Sequence, residues 1–444
     1  MMPTDEFSIA DHIELTHKAG CDLNDPTLVN VLCENVMYSK TWIESHIGSG
    51  FNLKNNAQGY WFTGGGAGFF AALKQCISEQ PNIELIESCN IIKLLTDAEC
   101  QGALAMLSDE TFIIQSTSTI LATGGYAGIY SRHDNPGKPV GAGITLALNA
   151  GAVVRDMEFV QFYPLGLAEP NLPTFMAFRP FPSEAKVINS HGESITEKYL
   201  GTDDLNEAIG THRDKFSQTI KAEQQHGPVK LDLTNVNWDH LDHWFSLQFL
   251  TRYDFPWQTD PATISPIAHH TMGGIAVNKY GQTSIKNLYA VGEVASGLHG
   301  ANRLGSNSLT ECLVFGKIAG HHAAKQISSV GDSINASGNL TSAKNQDLEN
   351  LEKLQQACWQ NLGLSRDASS LKTMQSILDI FGSKENFTLK AQQIAQLVTL
   401  FAQQRKESRG AHQRTDFPDQ DDQQQQSLFT IKQGSKIVFI DNPF

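Results

Sequence analysis

The chain has 444 residues, with 47 acidic and 33 basic side chains and a formal net charge of −14. A chain of this length can bury two or three hydrophobic cores, and its negative charge disfavours nucleic acid and anionic membranes as partners. The seven cysteines form no CxxC pair, so the sequence predicts no metal or iron–sulfur site, and scattered thiols are typical of a cytoplasmic protein. We expect no membrane span, because no apolar run approaches ~20 residues.

Predicted helices and strands alternate along the first third of the chain. Apolar residues at helical spacing predict helices within residues 1–50 and over residues 69–79. Residues 83–95, rich in isoleucine and leucine, are typical of a strand, and residues 103–119 predict a hairpin or meander.

Two further apolar strands each end in a glycine turn. Residues 120–125 read ILATGG, and residues 288–293 read LYAVGE. At the carboxyl end of a parallel strand, glycine lets the backbone approach a dinucleotide, and a carboxylate can accept hydrogen bonds from sugar hydroxyls. We therefore expect these turns to form a cofactor site. Its predicted residues are Thr123, Gly124, Gly125, Gly292 and Glu293.

The loop that follows, LHGANRLGSNSL at residues 298–309, combines small residues with several hydrogen-bond donors. Such a loop suits a carboxylate held near a flat ring. The planar guanidinium of Arg303 is well shaped for bidentate recognition of a carboxylate. The alternative is that Arg303 braces the loop.

The order HTMGG, GEV, GANRLGSNSL, ECLVFG over residues 270–316 resembles the fumarate reductase, succinate dehydrogenase and L-aspartate oxidase flavoproteins. The ECLVFG ending is most similar to the L-aspartate oxidase branch. The resemblance implies FAD as the cofactor, a soluble cytoplasmic enzyme and a small carboxylic acid as the substrate. It also adds Asn307, Ser308 and Leu309 to the predicted cofactor site.

The resemblance further implies an α/β fold in three parts. Residues 1–165 and 266–330 would form a Rossmann-like FAD-binding domain, and residues 166–265 an inserted α+β capping domain. Residues 340–444 would form a C-terminal three-helix domain, in which leucines recur at helical spacing.

The family opens with a strand, a GxGxxG turn and a helix that bind the ADP half of FAD. We expect the FAD-binding domain to lack this first βαβ unit, either because the sequence is incomplete or because the FAD site is partial and weak. The glycine patch TGGGAGFFAAL at residues 63–73 is a candidate phosphate loop. The alternative, a flexible helix entry, is favoured because no core strand precedes it.

Three residues are assigned to the substrate by resemblance. Arg213, in THRDKFSQTI, occupies the proton-shuttle position of the family. Because a guanidinium normally stays protonated, the better-supported role is electrostatic stabilisation of developing negative charge. Its alternative role is that of a residue at a helix N-terminus, in an ion pair with Asp214 or a neighbour. His269 matches a substrate histidine, with a satisfied buried histidine as the alternative. Tyr163 stands where the family has a substrate-contacting histidine.

Other departures make the predicted pocket less polar. Ala177 and Phe178 stand where the family has a threonine and a glutamate, so the ammonium of aspartate would lack its anion. Three functions follow. The first is an enzyme like L-aspartate oxidase with an altered pocket, which would oxidise L-aspartate to iminoaspartate for NAD biosynthesis, with a quinolinate-synthase-type downstream partner. The others are a soluble fumarate reductase and a degenerate flavoprotein.

Overall fold

Helices pack around five sheets in the part of the chain that the structure describes. A computed structural model describes residues 1–53, 59–137, 139–177, 179–240, 253, 255–326, 345–381 and 386–444. The helices are α1 (Ile9–Ala19), α2 (Pro26–Ile47), α3 (Gly65–Ser78), α4 (Ala142–Asn149), α5 (Ile195–Leu200), α6 (Leu205–Thr211), α7 (Arg213–Glu223), α8 (Asn307–Ala324), α9 (Asn345–Asn361), α10 (Ala368–Ile380) and α11 (Asn386–Gln404). The strands are β1 (Phe51–Leu53), β2 (Tyr60–Phe62), β3 (Asn90–Thr96), β4 (Cys100–Leu107), β5 (Glu110–Gln115), β6 (Thr119–Leu121), β7 (Val154–Arg155), β8 (Val160–Leu167), β9 (Lys186–Ile188), β10 (Lys230–Asp232), β11 (Ala262–Thr271), β12 (Gly274–Ala276), β13 (Leu288–Ala290), β14 (Ala295–Ser296), β15 (Phe429–Gln433) and β16 (Lys436–Ile440).

The parallel pair β6 and β13 positions the predicted cofactor turns. Thr119 lies opposite Leu288, and Leu121 lies opposite Ala290. Because the parallel register is unbroken, β6 and β13 end at the same edge of their sheet. Beyond it, the Val291 amide donates to the Leu121 carbonyl at 3.0 Å. The two glycine turns therefore leave the sheet side by side, as the sequence predicted.

The N-terminal helices and the meander are confirmed, with one correction. β3, β4 and β5 form the predicted antiparallel meander. The predicted strand over residues 83–95 is wrong in its first half, because β3 begins at Asn90 and the side chains of residues 83–88 are exposed. That stretch lies beside α3, to which Glu87 is tied by an ion pair with Lys74 at 3.0 Å. Local β propensity thus failed in a stretch for which no strand pairing is seen among the described residues.

The glycine patch before α3 lacks the strand that a phosphate loop needs. β2 pairs antiparallel with β1 as a hairpin, so it is not the central parallel strand of a dinucleotide fold. Gly64 precedes the helix with φ +76, a left-handed conformation that favours glycine. These observations support the helix-entry interpretation.

Two cores meet along the long strands β8 and β11. The larger core joins α2, α4, α8 and the C-terminal helices, and it reaches Phe162 on β8. The second core begins at the next residue, Tyr163, and is completed by α6, α7 and β10. β8, β11, β10 and β9 form one antiparallel sheet, which carries the chain from the first core to the second. The site residues on β8 and β11 therefore lie at the junction.

The C-terminal region contains the three predicted helices and also a hairpin that we did not predict. β15 pairs with β7, and β16 pairs with β15, in a five-stranded sheet. The sequence FTIKQ alternates and KIVFI is apolar and β-branched, and between them Gly434 has φ +62, so a hairpin signal was present. The predicted domain limits at residues 330 and 340 lie outside the described residues. None of the described helices is both long and apolar enough to cross a bilayer.

Candidate active site

The two glycine turns approach each other so closely that a side chain at Gly125 would collide with its neighbours. A β-carbon added at Gly125 would lie 2.2 Å from the Thr271 Oγ1 atom and 2.3 Å from the Glu293 Oε1 atom. Gly292 has φ +69 and cannot readily be replaced. Thr123 and Leu309, which flank this edge, are exposed. A bare backbone edge flanked by exposed groups fits a flat ring system such as the flavin of FAD.

Glu293 is held by β11 on one side. Its Oε1 atom accepts from the Thr271 amide at 2.9 Å and from the Thr271 hydroxyl at 3.1 Å. Its Oε2 atom lies 3.6 Å from the His270 Nδ1 atom. Burial raises the pKa of Glu293 to about 7, although the Thr271 bonds oppose the shift. The protein therefore uses Oε1, and a cofactor hydroxyl would have to be bound by Oε2.

Asn307, the first residue of α8, links this helix to α1. Its Oδ1 atom accepts from the His12 Nε2 atom at 2.8 Å, and its Nδ2 atom donates to the Thr16 hydroxyl at 3.1 Å. Burial lowers the pKa of His12 to about 4, so this bond is between neutral groups at pH 7. The Asn307 side chain thus braces two helices. The cofactor contacts of Asn307 and Ser308 stay predictions. The N-terminus of α8 could still make such contacts through its backbone amides.

Arg303 is only 4% exposed, and among the described residues its guanidinium bonds to an amide and a carbonyl rather than to a carboxylate. Its Nη2 atom donates to the Gln161 Oε1 atom at 2.8 Å. Its Nη1 atom makes a long bond of 3.4 Å to the Leu304 carbonyl, and its Nε atom is buried without a hydrogen-bond partner. Burial, together with the nearby charge of Arg213, lowers the pKa of Arg303 to about 10.

Arg213 begins α7 and reaches across from the second core to Arg303. Its Nη2 atom donates to the Arg303 carbonyl at 2.9 Å, and its Nε atom is buried without a hydrogen-bond partner. The predicted alternative, an ion pair with Asp214, does not form. The Asp214 carboxylate instead accepts from the Asn302 amide at 2.6 Å. Burial lowers the pKa of Arg213 below its ordinary value.

Tyr163 and His269 complete the group of predicted substrate residues. Their rings lie 5.9 Å apart between centroids. The His269 Nδ1 atom lies 2.7 Å from the Asp134 Oδ2 atom. Burial raises the pKa of Tyr163, while the charges of Arg179 and Arg213 oppose that shift, which places both guanidiniums near its hydroxyl. The structure therefore brings all four predicted residues together.

Sequence reasoning missed the residues that orient these four. Gln161 is fully buried, and its Nε2 atom donates to the Asn302 side chain at 2.6 Å and to the Arg303 carbonyl at 3.0 Å. A polar residue within the apolar strand β8 was the available signal. Asp134 gave no local signal, because its partner His269 lies 135 residues away. Ala177 is fully buried, and Phe178 lies outside the described residues.

Models of known families match most of the chain. An FAD binding domain matches residues 1–309, and a fumarate reductase flavoprotein C-terminal domain matches residues 388–438. The chain belongs to the fumarate reductase/succinate dehydrogenase flavoprotein family. It is an FAD-dependent oxidoreductase.

Relatives of known sequence cover nearly the whole chain. An uncharacterized FAD-dependent oxidoreductase of Methanocaldococcus jannaschii is 31% identical over 98% of this chain and 88% of its own length. An L-aspartate oxidase of Xylella fastidiosa is 33% identical over 88% and 76%. A fumarate reductase (CoM/CoB) subunit of Methanothermobacter marburgensis is 30% identical over 92% and 83%.

Solved structures confirm the fold class. A quinol-fumarate reductase with menaquinol molecules matches with a TM-score of 0.85 at 24% identity, over 100% of this chain and 89% of that chain. The Sdh1 complex of Mycobacterium smegmatis in the apo form matches with a TM-score of 0.81 at 22% identity, over 98% and 84%. At these identities the matches establish the fold, and the substrate must be inferred from the site.

Proposed function

We propose that this flavoprotein transfers a hydride between FAD and a carbon next to the carboxylate of a small organic acid. The observation that carries the proposal is a pair of guanidiniums, on the buried Arg303 and the half-buried Arg213, each with a buried N–H that no described residue accepts. Burying a cation without an anion is costly, so such a pair is typical of a site completed by an anionic ligand. A carboxylate matches the fork of a guanidinium.

Each side chain has a distinct part in this reaction. FAD, when bound at the two glycine turns, supplies the acceptor or donor of the hydride. Arg303 holds the carboxylate, and Gln161 fixes its orientation through the 2.8 Å bond. Arg213 remains a cation at neutral pH, because a guanidinium stays protonated in proteins even where burial lowers its pKa. It therefore stabilises negative charge that develops on the substrate.

The carboxylates around the guanidinium pair argue against an ammonium group on the substrate. Asp134 accepts from His269, Asp214 accepts from Asn302, and Glu293 accepts from Thr271. Each is thus already bonded within the protein. We propose an acid without an ammonium, in an enzyme related to L-aspartate oxidase but with an altered pocket. A role in NAD biosynthesis, with a quinolinate-synthase-type partner, would follow only if aspartate were the substrate.

A second candidate is reduction of a carbon–carbon double bond, as in a soluble fumarate reductase. It uses the same guanidinium pair, with the hydride moving to the substrate. The similarity to the fumarate reductase (CoM/CoB) subunit over 92% of the chain favours this direction. The two candidates differ in whether the acid reduces or reoxidises the flavin.

The test is a flavin titration without oxygen. Yellow protein is mixed with L-aspartate, succinate or an alkyl succinate, and the loss of flavin absorbance is followed. Photoreduced protein is then mixed with fumarate. We expect an acid without an ammonium to reduce the flavin faster than aspartate does. A clear preference for aspartate would refute the altered pocket, and a flavin that responds to none of these acids would refute the proposed function.

A further inference from the structure

The segment at residues 131–135 runs beside β11 and is fixed there by backbone bonds. The Ala268 amide donates to the Arg132 carbonyl at 3.0 Å, and the Asp134 amide donates to the Ala268 carbonyl at 3.3 Å. His133 and Ala268 form a parallel bridge. This pairing places the Asp134 side chain next to that of His269.

Side-chain hydrogen bonds also join this segment to His269. The Asp134 Oδ2 atom accepts from the His269 Nδ1 atom at 2.7 Å. Asn135 donates from its Nδ2 atom to the Asp134 Oδ1 atom at 3.1 Å and to the His269 carbonyl at 2.9 Å. Asn135 therefore fixes both the carboxylate and the backbone that carries the imidazole. The side chains of His269 and Asp134 are 23% and 11% exposed.

This bond decides which nitrogen of His269 a ligand meets. A carboxylate on Nδ1 selects the tautomer with a proton on that nitrogen and leaves Nε2, on the opposite side of the ring, for a ligand. The charged and titratable groups that act on the ring are Asp134, Arg303 from its loop and Arg213 from α7, with Tyr163 from β8 beside it. The next residue, His270, lies 3.6 Å from Glu293 through its Nδ1 atom.

Those surroundings keep His269 neutral until an anion arrives. Burial lowers the pKa of His269, the hydrogen bond and charge of Asp134 oppose this shift, and the charges of Arg303 and Arg213 add to it. A carboxylate bound to the two guanidiniums would cancel their repulsion of a proton on His269. Asp134 would then stabilise the imidazolium.

We propose that Asp134 is a positioning residue that holds His269 with Nε2 toward the substrate, so that binding of a carboxylate is accompanied by uptake of one proton from solvent. The proton adds to Nε2, and the resulting imidazolium donates it as a hydrogen bond to the bound acid. This inference rests on the proposed function, because it requires a carboxylate at Arg213 and Arg303.

Malonate, a dicarboxylate that cannot be dehydrogenated, is the probe. Its binding to flavin-loaded protein is measured by calorimetry at about pH 7.5 in two buffers of different ionisation enthalpy, since the difference in heat counts the protons taken up. We expect the wild type to take up protons and His269→Gln to take up none. Asp134→Asn should weaken binding roughly tenfold, as expected for a hydrogen bond to a charged group.

A double-mutant cycle separates positioning from a merely structural role. If Asp134 acts through His269, Asp134→Asn should have no further effect in the His269→Gln background. Asp203→Asn, an exposed change in the second core region, is the matched control and should behave as wild type. Flavin content and thermal melting report folding.

Three results would overturn the proposal. The first is additive effects of the two substitutions, and the second is proton uptake that persists in His269→Gln. Both leave the proposed function intact. The third, no malonate binding by folded, flavin-loaded wild type, would overturn the proposed anion site as well. If Asp134→Asn does not fold, the proton count in His269→Gln still decides the outcome.

Discussion

Arg303 and Arg405 are almost equally buried, at 4% and 1% exposed, yet their surroundings are opposite. Arg405 contacts Glu158 through Nε, Glu407 at 3.1 Å and Asp156 at 3.4 Å. Two backbone carbonyls accept its remaining protons at 2.8 and 3.0 Å. Arg303 contacts one neutral amide and one distant carbonyl. Burial of an arginine therefore does not mark a functional site, whereas burial without partners does.

The pKa shifts follow the same contrast. Burial disfavours the charge on Arg405, but Glu158, Asp156 and Glu407 raise its pKa above the ordinary value. Burial lowers the pKa of Arg303 to about 10, and its carboxylate neighbours do not compensate. The C-terminal arginine holds the fold together, and the central one is held in place for a ligand.

The largest effect should come from Arg405→Met. This change leaves Glu158, which is fully buried, without its cation, and breaking a buried pair by removing one partner costs about 3–5 kcal/mol. We expect the free energy of unfolding, measured by urea denaturation, to fall by that amount. An unchanged midpoint would mean that the buried network contributes little.

The next effect should come from Arg303→Met, and on activity rather than stability. Loss of a charge-assisted bond to a carboxylate should lower kcat/KM for the acid substrate more than about tenfold. The free energy of unfolding should change by only about 1 kcal/mol, because a cation without an anionic partner is removed. Equal turnover by the variant and the wild type would refute the proposal that Arg303 binds a carboxylate. A loss of stability as large as that of Arg405→Met would refute the contrast between a ligand-binding and a structural arginine.

The sequence identified two glycine turns that leave the sheet side by side and four residues that the structure brings together, because each lies in a motif whose neighbours are close in sequence. Their roles toward cofactor and substrate stay predictions. Motif order also predicted the α/β class and the three C-terminal helices. It did not predict that Asn307 would be bonded to His12, or His269 to Asp134, because those contacts join residues 295 and 135 positions apart. What separates Arg405 from Arg303 is the tertiary neighbourhood.

A third effect concerns the carboxylate beside the ligand site. The pKa of Glu293 is raised in the folded protein from 4.5 to about 7, so ionising it costs more in the folded than in the unfolded state. Its stabilising contribution is full below pH 4.5 and is lost as the pH rises through 7. In flavin-free protein, Glu293→Gln should therefore gain stability on the order of 1–2 kcal/mol relative to wild type between pH 5 and pH 8. Thermal melting at both pH values measures it, and parallel pH profiles of variant and wild type would contradict the assignment.

The smallest effect should come from a pair that is bonded but exposed. Lys74 and Glu87 lie 3.0 Å apart, with side chains 57% and 67% exposed. Water screens such pairs, so Lys74→Gln should change the free energy of unfolding by about 0.5 kcal/mol or less, and raised salt should reduce even that difference. Urea denaturation at low and high salt is the measurement. A loss comparable to that of Arg405→Met would show that pairing alone, without burial, stabilises this protein, and the contrast between Arg303 and Arg405 would then need another cause.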